Sequence, residues 1–266
     1  MGTICVTGSA SGMGKATAAL LRERGHTVIG VDVRDADVEV DLGTPEGRAT
    51  AITAVTEACG GTLDGLAPFA GIGPLPGRSG ALIASVNYFG TVALIEGLHP
   101  CLARGIDASV VAISSNSTTC QPGYPLELVE ACNADDEGRA RTLAEETGPF
   151  NAYPSSKLAV ARFVRRNAPT EKWIGQGIRL NAVAPGKIET NMIAEGMADP
   201  EMRPMLEGFT VPIGRSGRPE ELAALVAFLL GPESSFFVGS IVLCDGGTEA
   251  QFRPDAWPAP WVIDGV

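Results

Sequence analysis

The stretch Thr7-Gly8-Ser9-Ala10-Ser11-Gly12-Met13-Gly14 stands between an apolar run, Ile4 to Val6, and a helix-forming run, Lys15 to Arg24. A strand, a glycine turn and a helix follow from that order. Glycines separated by three residues and then by one let the backbone leave a strand sharply, approach a ligand closely and pack the following helix on the sheet. The helix N-terminus so formed offers free N–H groups and the positive end of the dipole to an anion such as a pyrophosphate. A second apolar run, Thr27 to Val31, ends in Asp32, where a carboxylate can accept the two hydroxyls of a ribose. In a chain with 33 glycines such a pattern also describes an ordinary turn. The strand before it, the helix after it and the acid at the end of the next strand together favour the ligand-binding reading.

Beyond Asp32 the apolar patterning keeps alternating. Strands are expected at Val38 to Leu42, Leu63 to Phe69, Ala108 to Ser115, Ile178 to Ala184 and Ser240 to Cys244, the last running into Asp245-Gly246-Gly247. Helices are expected at Thr44 to Cys59, Ala81 to Leu98, Ala152 to Asn167 and Pro219 to Leu230. A Gly- and Pro-rich loop, Gly71 to Gly80, separates two of them. This alternation predicts an α/β fold, a doubly wound parallel sheet of about seven strands with helices on both faces. The 266 residues fit one such domain.

Composition narrows the partners. With 45% apolar and 19% charged residues the chain reads as globular, and a net charge of -11 argues against nucleic acid or an anionic membrane, both of which need a basic face. A small molecule is the expected partner. The first strand begins at Thr3 with no basic and apolar leader before it, which predicts the cytoplasm. Six cysteines have no C-x-x-C or other metal spacing. They are expected to be reduced thiols, with no metal site.

Sites in a doubly wound sheet lie at the carboxyl ends of the strands. Tyr153 and Lys157 are four apart on an expected helix and therefore share a face. With three Tyr and four Lys in the chain, chance supplies roughly 0.05 pairs at that spacing. A surface Tyr beside a solvated Lys is the bland alternative. An ammonium close to a phenol favours the phenolate, so Lys157 is expected to lower the Tyr153 pKa and make it a usable acid and base. Ser114 and Ser115 end the preceding strand, where either could simply cap it. Pro154 fits only the first helical turn, so the helix proper is expected to begin there.

These motifs, Thr7-Gly8-x3-Gly12-x-Gly14, Ile113-Ser114-Ser115, Tyr153-x3-Lys157 and Asn181-x3-Pro185-Gly186-x3-Thr190, resemble those of the short-chain dehydrogenase/reductase family, over almost the whole chain. The resemblance implies hydride transfer between a secondary alcohol or ketone and a nicotinamide. Tyr153 would be the acid/base, Lys157 its tuner and ribose ligand, Ser115 the hydroxyl that orients the carbonyl, and Asn87 the support of a proton-relay water. It assigns Gly8, Ser11, Gly12, Met13, Gly14, Asp32, Asp41, Leu42, Ala70, Gly71, Pro185, Gly186, Ile188 and Thr190 to the cofactor, which Asp32 makes NAD rather than NADP. Arg34, the one nearby cation, has Asp35 and Asp37 competing for it. Pro68-Phe69-Ala70-Gly71 departs from the family's Asn-Asn-Ala-Gly, and the missing Asn removes a contact that stabilises the sheet. The Met-rich segment 191–213 corresponds to a substrate lid. The stretch 116–151, with a helix-like run from Leu126 to Glu146, is an insertion. Within the family the chain is similar to the branch acting on hydroxysteroids and other bulky carbonyl compounds, some of whose members oxidise coniferyl alcohol. The insertion is expected to cover one assembly face and leave a homodimer built on Pro219 to Leu230 and Ser240 to Cys244, braced by the tail from Arg253 to Trp261. A cofactor-binding protein without turnover is the alternative, and the filled catalytic positions argue against it.

Overall fold

The computed structural model describes residues 1–257 and 259. β1 (Thr3–Thr7), β2 (Thr27–Asp32), β3 (Val38–Glu39), β4 (Gly65–Pro68), β5 (Ser109–Ile113), β6 (Arg179–Pro185) and β7 (Ile241–Cys244) form one sheet in the order β3-β2-β1-β4-β5-β6-β7. Every neighbouring pair is parallel, with β1 at the reversal of strand order: Thr7 pairs with Val31 of β2 on one side and with Pro68 of β4 on the other. The crevice outside the carboxyl ends of β1 and β4 is therefore the place for a ligand. β3 is shorter than expected because the chain turns at Asp41, whose carboxylate accepts from Gly43 N–H at 2.8 Å. β4 meets β5 only at Gly65 with Ser109 and Leu66 with Val110. Pro68 brings no N–H to a ladder, and the strand-bridging asparagine of the family pattern is absent here.

Helices fill the crossovers. α1 (Gly12–Glu23) starts inside the glycine turn, and α2 (Pro45–Ala58) is capped by Thr44, whose hydroxyl accepts from Gly47 N–H at 3.0 Å. The single helix expected from Ala81 to Leu98 is instead α3 (Gly80–Ala84), a π-turn (Ser85–Gly90) and α4 (Thr91–Gly97), with α5 (His99–Leu102) behind it. The span Gly80–Gly97 is apolar and long enough to cross a membrane, yet 61% of it is buried in this core. After α6 (Ser117–Cys120), the run expected as one helix divides into α7 (Leu126–Asn133) and α8 (Glu137–Thr147). Asp135 takes a φ of +58° and Asp136 caps α8, accepting from Arg139 N–H at 3.0 Å.

α9 (Pro149–Asn167) begins three residues before the expected Ala152, so Pro154 lies inside the helix rather than at its start. A residue with an N–H at 154 would donate to Phe150 C=O; the Gln121 side-chain amide donates there instead, at 2.8 Å. α10 (Asn191–Ala198) and α11 (Arg203–Gly208) share the Met-rich segment 191–213, α12 (Pro219–Leu230) has its expected bounds, and α13 (Thr248–Phe252) follows β7. Arg179 at the head of β6 is buried and donates to Leu229, Leu230 and Gly231 C=O, closing the orphan carbonyls at the C-terminus of α12. Apart from Ala259, the tail beyond Trp257 lies outside the described residues.

Strand side chains alternate between two cores. Ile4 and Val6 of β1 pack with Leu21 of α1 and Leu222 and Val226 of α12. Cys5 faces the other way, into the core that α2, α4 and α9 share with Leu128 of α7 and Ala144 of α8. The inserted helices are thus part of the main core, packed over α3 and α9.

Candidate active site

The glycine turn, which could cradle a dinucleotide, follows from backbone conformations that only glycine tolerates easily. Gly8 and Gly12 have φ of +67° and +52°. A Cβ on Gly8 would lie 2.9 Å from Ala70 N, and one on Gly14 would collide with Gly8 C=O at 2.2 Å. Thr7 accepts from Ala70 N–H at 2.9 Å, drawing the β4 loop against the turn. Asp32 is held at the mouth: one carboxylate oxygen accepts from Ala10 N–H at 3.0 Å, the other from Val33 N–H at 2.7 Å. Ser11 and Met13 flank the α1 N-terminus, and Thr190 approaches Gly12, its Cγ2 being 3.3 Å from where a Cβ would stand. Asp41 and Leu42 lie past β3, on the Asp32 side of the sheet. Space, free N–H groups and a carboxylate occur here in the order a dinucleotide needs, pyrophosphate at α1 and ribose at Asp32.

At the other end of the crevice, α9 carries Tyr153 and Lys157 on one face, with Lys157 Nζ 6.0 Å from the Tyr153 ring centroid. Lys157 Nζ donates to Ile113 C=O at 3.1 Å, which fixes it under the end of β5. The two serines divide by direction. Ser114 donates to Lys157 C=O at 2.9 Å and is spent on joining β5 to α9. Ser115 faces Tyr153 and also accepts from Ser117 N–H at 3.1 Å. Burial sets both titrations. It raises the Tyr153 pKa, with a hydrogen bond from Ser115 acting in the opposite direction, and it lowers that of Lys157 to about 8. The expected depression of Tyr153 by Lys157 is not found in the protein alone, because the ammonium is turned to Ile113 and desolvation outweighs it.

Asn87 sits in the π-turn and clips the β4 loop: its amide accepts from Ile72 N–H at 2.8 Å and donates to Ile72 C=O at 3.0 Å. Gly71 lies where this clip meets the lysine, since a Cβ there would be 3.1 Å from Asn87 Oδ1 and 3.5 Å from Lys157 Nζ. Pro185 ends β6, and Gly186 passes so close to Asp245 that a Cβ would lie 2.6 Å from that of Asp245. Ile188 then bridges to Gly217, aiming Thr190 at the glycine turn. Arg78 belongs to no sequence motif. It donates to Gly73 C=O at 2.7 Å and pairs with Glu195 of α10 at 3.3 Å, tying the β4 loop to α10 across the crevice. A lone cation in a Gly- and Pro-rich loop was its only signal. Nor do Asp35 and Asp37 engage Arg34: Asp37 accepts from Gly30 N–H at 2.7 Å and stands 3.5 Å from Arg22, and Arg34 has no ion pair among the described residues.

Residues 2–126 match the family model described as short chain dehydrogenase, and residues 149–249 match that described as enoyl-(acyl carrier protein) reductase. The chain is 38% identical over 257 residues to the 3-alpha-hydroxysteroid dehydrogenase/carbonyl reductase of Comamonas testosteroni, covering 96% of this chain and 99% of that one. It is 32% identical to a cis-4-hydroxycyclohexanecarboxylate dehydrogenase of Sinomonas cyclohexanicum, covering 92% of this chain and 95% of that one. The crystal structure of a 3-alpha-hydroxysteroid dehydrogenase from a Pseudomonas species, complexed with NADH, superimposes with a TM-score of 0.92 at 47% identity, over 96% of this chain and 100% of that one.

Proposed function

This chain belongs to the short-chain dehydrogenase/reductase family, and on that premise we propose that it is an NAD-dependent enzyme interconverting the secondary alcohol and ketone of a hydroxysteroid or similarly bulky apolar compound. The observation that carries the reading is the convergence of the Tyr153 phenol, the Ser115 hydroxyl and Lys157 Nζ at the inner end of the crevice that begins at Asp32.

When bound, the nicotinamide accepts or supplies the hydride. Ser115 donates a hydrogen bond to the substrate oxygen and fixes its direction. Tyr153 takes the hydroxyl proton in oxidation and returns it to the carbonyl oxygen in reduction. Lys157 stabilises the phenolate and binds the ribose beside it, and Asn87 holds the β4 loop in place through Ile72. Pro185, Gly186, Ile188 and Thr190 hold the carboxamide end, while α10 and α11 cover the substrate. Asp32 takes the hydroxyls of the adenosine ribose and disfavours a phosphate there. The six cysteines are unpaired, as a reducing cytoplasm leaves them. Two copies associate through α12 and β7, the edge that the insertion does not cover.

The test is turnover on a panel of 3-hydroxysteroids, coniferyl alcohol and small cyclic alcohols with NAD, beside Tyr153→Phe. Oxidation of a steroid is expected to dominate, with at least about a thousandfold loss of kcat in the variant and NADH binding retained. Near-normal turnover by Tyr153→Phe would overturn the mechanism, and no turnover on any steroid would overturn the substrate class.

A further inference from the structure

Arg48 lies near the start of α2, only 7% exposed, and its guanidinium is shared among three parts of the chain that are far apart in sequence. Its Nε donates to Leu42 C=O at 2.9 Å and Nη2 to Gly43 C=O at 3.3 Å, in the turn that follows β3. Nη2 also donates to Ser85 C=O at 3.3 Å, at the residue that opens the π-turn. Both terminal nitrogens pair with the Glu137 carboxylate at 2.7 Å, at the first residue of α8 in the insertion. The fork-to-fork pair holds Glu137 below the usual carboxylate range. Ser85, fully buried, adds a hydroxyl bond to the same carboxylate at 3.0 Å.

The turn so gripped lies on the π-turn with no spare room. A Cβ on Gly90 would stand 3.1 Å from Leu42 C=O, and one on Gly43 would stand 3.2 Å from Val86 Cγ2. The Phe89 ring backs the guanidinium, its centroid 5.8 Å from Arg48 Cζ. Leu42 follows β3, the strand paired with Asp32, so this is the adenosine end of the crevice under the reading given above, on which the inference rests. A buried guanidinium with three carbonyl partners and no counter-charge would carry a large desolvation cost. Glu137 therefore decides whether Arg48 can remain where the carbonyls hold it.

We propose that the Arg48–Glu137 pair is a positioning device by which the inserted helix α8 fixes the Leu42–Gly43 turn and so sets affinity for the adenosine half of the dinucleotide. Neither residue touches the reacting atoms. The insertion is then a working part of the cofactor site as well as a cover for α3 and α9.

Calorimetric titration of wild type, Glu137→Gln and Arg48→Lys with NADH, with ADP and with reduced nicotinamide mononucleotide separates this from simple support of the fold. Glu137→Gln keeps the shape and loses the charge; Arg48→Lys keeps the charge and loses the fork. Both are expected to bind NADH and ADP at least tenfold more weakly, with mononucleotide affinity within about twofold of wild type and kcat falling far less than kcat/KM for NAD. Glu137→Asp, which retains the charge, should recover part of the ADP affinity. Variants that melt earlier but keep the wild-type ratio of NADH to mononucleotide affinity would overturn the inference and leave the functional reading intact. A wild type that binds neither NADH nor ADP would overturn both.

Discussion

Under the proposed mechanism, catalysis and stability oppose each other at Lys157. Burial lowers its pKa to about 8 from an ordinary 10.5, so between those values the unfolded chain holds more protons than the folded one and stability rises with pH. Below about pH 8 the enclosed charge is a cost, of order 3 kcal/mol at pH 7 and under about 1 kcal/mol at pH 10. Lys157→Met should therefore abolish turnover yet raise Tm by several degrees at pH 7, with a smaller gain at pH 10. Scanning calorimetry at the two pH values decides it, and a Tm below wild type at pH 7 would count against a buried ammonium. Asp32 carries the second prediction at this scale. A 2′-phosphate about 4 Å from its carboxylate meets up to roughly 4 kcal/mol of repulsion per charge at an effective dielectric near 20. Asp37 is engaged by Arg22 and Gly30, so under the proposed reading the discrimination would rest on Asp32 itself. Steady-state kinetics should give NAD at least about a hundredfold advantage over NADP in kcat/KM, narrowed in Asp32→Ala; equal efficiencies in wild type would mean that Asp32 does not face the ribose.

The elements show why some features can be read from sequence and others cannot. The glycine turn is legible because positive φ and close approach are local demands, and the Tyr153–Lys157 pair because four residues on a helix always share a face. The start of α9 is not legible: Pro154 reads as a first-turn residue until Gln121, supplied from the insertion, takes the place of its missing N–H. The π-turn has no sequence signal of its own, since the contacts of Ser85 and Asn87 come from Glu137, Arg48 and Ile72. The direction of the Tyr153 shift also escapes local reading, because enclosure is a property of the whole site. The Gln121 substitution can be measured by a double-mutant cycle in urea. Gln121→Ala should cost about 1 kcal/mol by orphaning Phe150 C=O, and in a Pro154→Ala background, where the backbone N–H returns, the cost should fall below about 0.5 kcal/mol. Equal costs in both backgrounds would show that the two donors are independent.

For the whole molecule, the sheet has one edge that asks for a partner. β7 is outermost, Leu243 on it and Phe228 on α12 are exposed, and Phe236 between them in sequence is fully exposed. The opposite candidate face, on α3 and α9, is occupied by α7 and α8. Light scattering should therefore find a dimer, and Leu243→Lys, which places a charge on the edge strand, should shift it to monomer; a tetramer of the intact chain would refute this assembly. The packing of α1 on α12 has a further consequence, for the order in which the chain is made. Leu21 finds Leu222 and Val226 only after about 200 more residues have left the ribosome, roughly ten to forty seconds at 5–20 residues per second. Through that interval the nascent β1–α1 unit shows its apolar face to water. The glycine turn, though first to be synthesised, is among the last parts to be secured, so a truncated amino-terminal half should be a client of chaperones rather than a small independently folded domain.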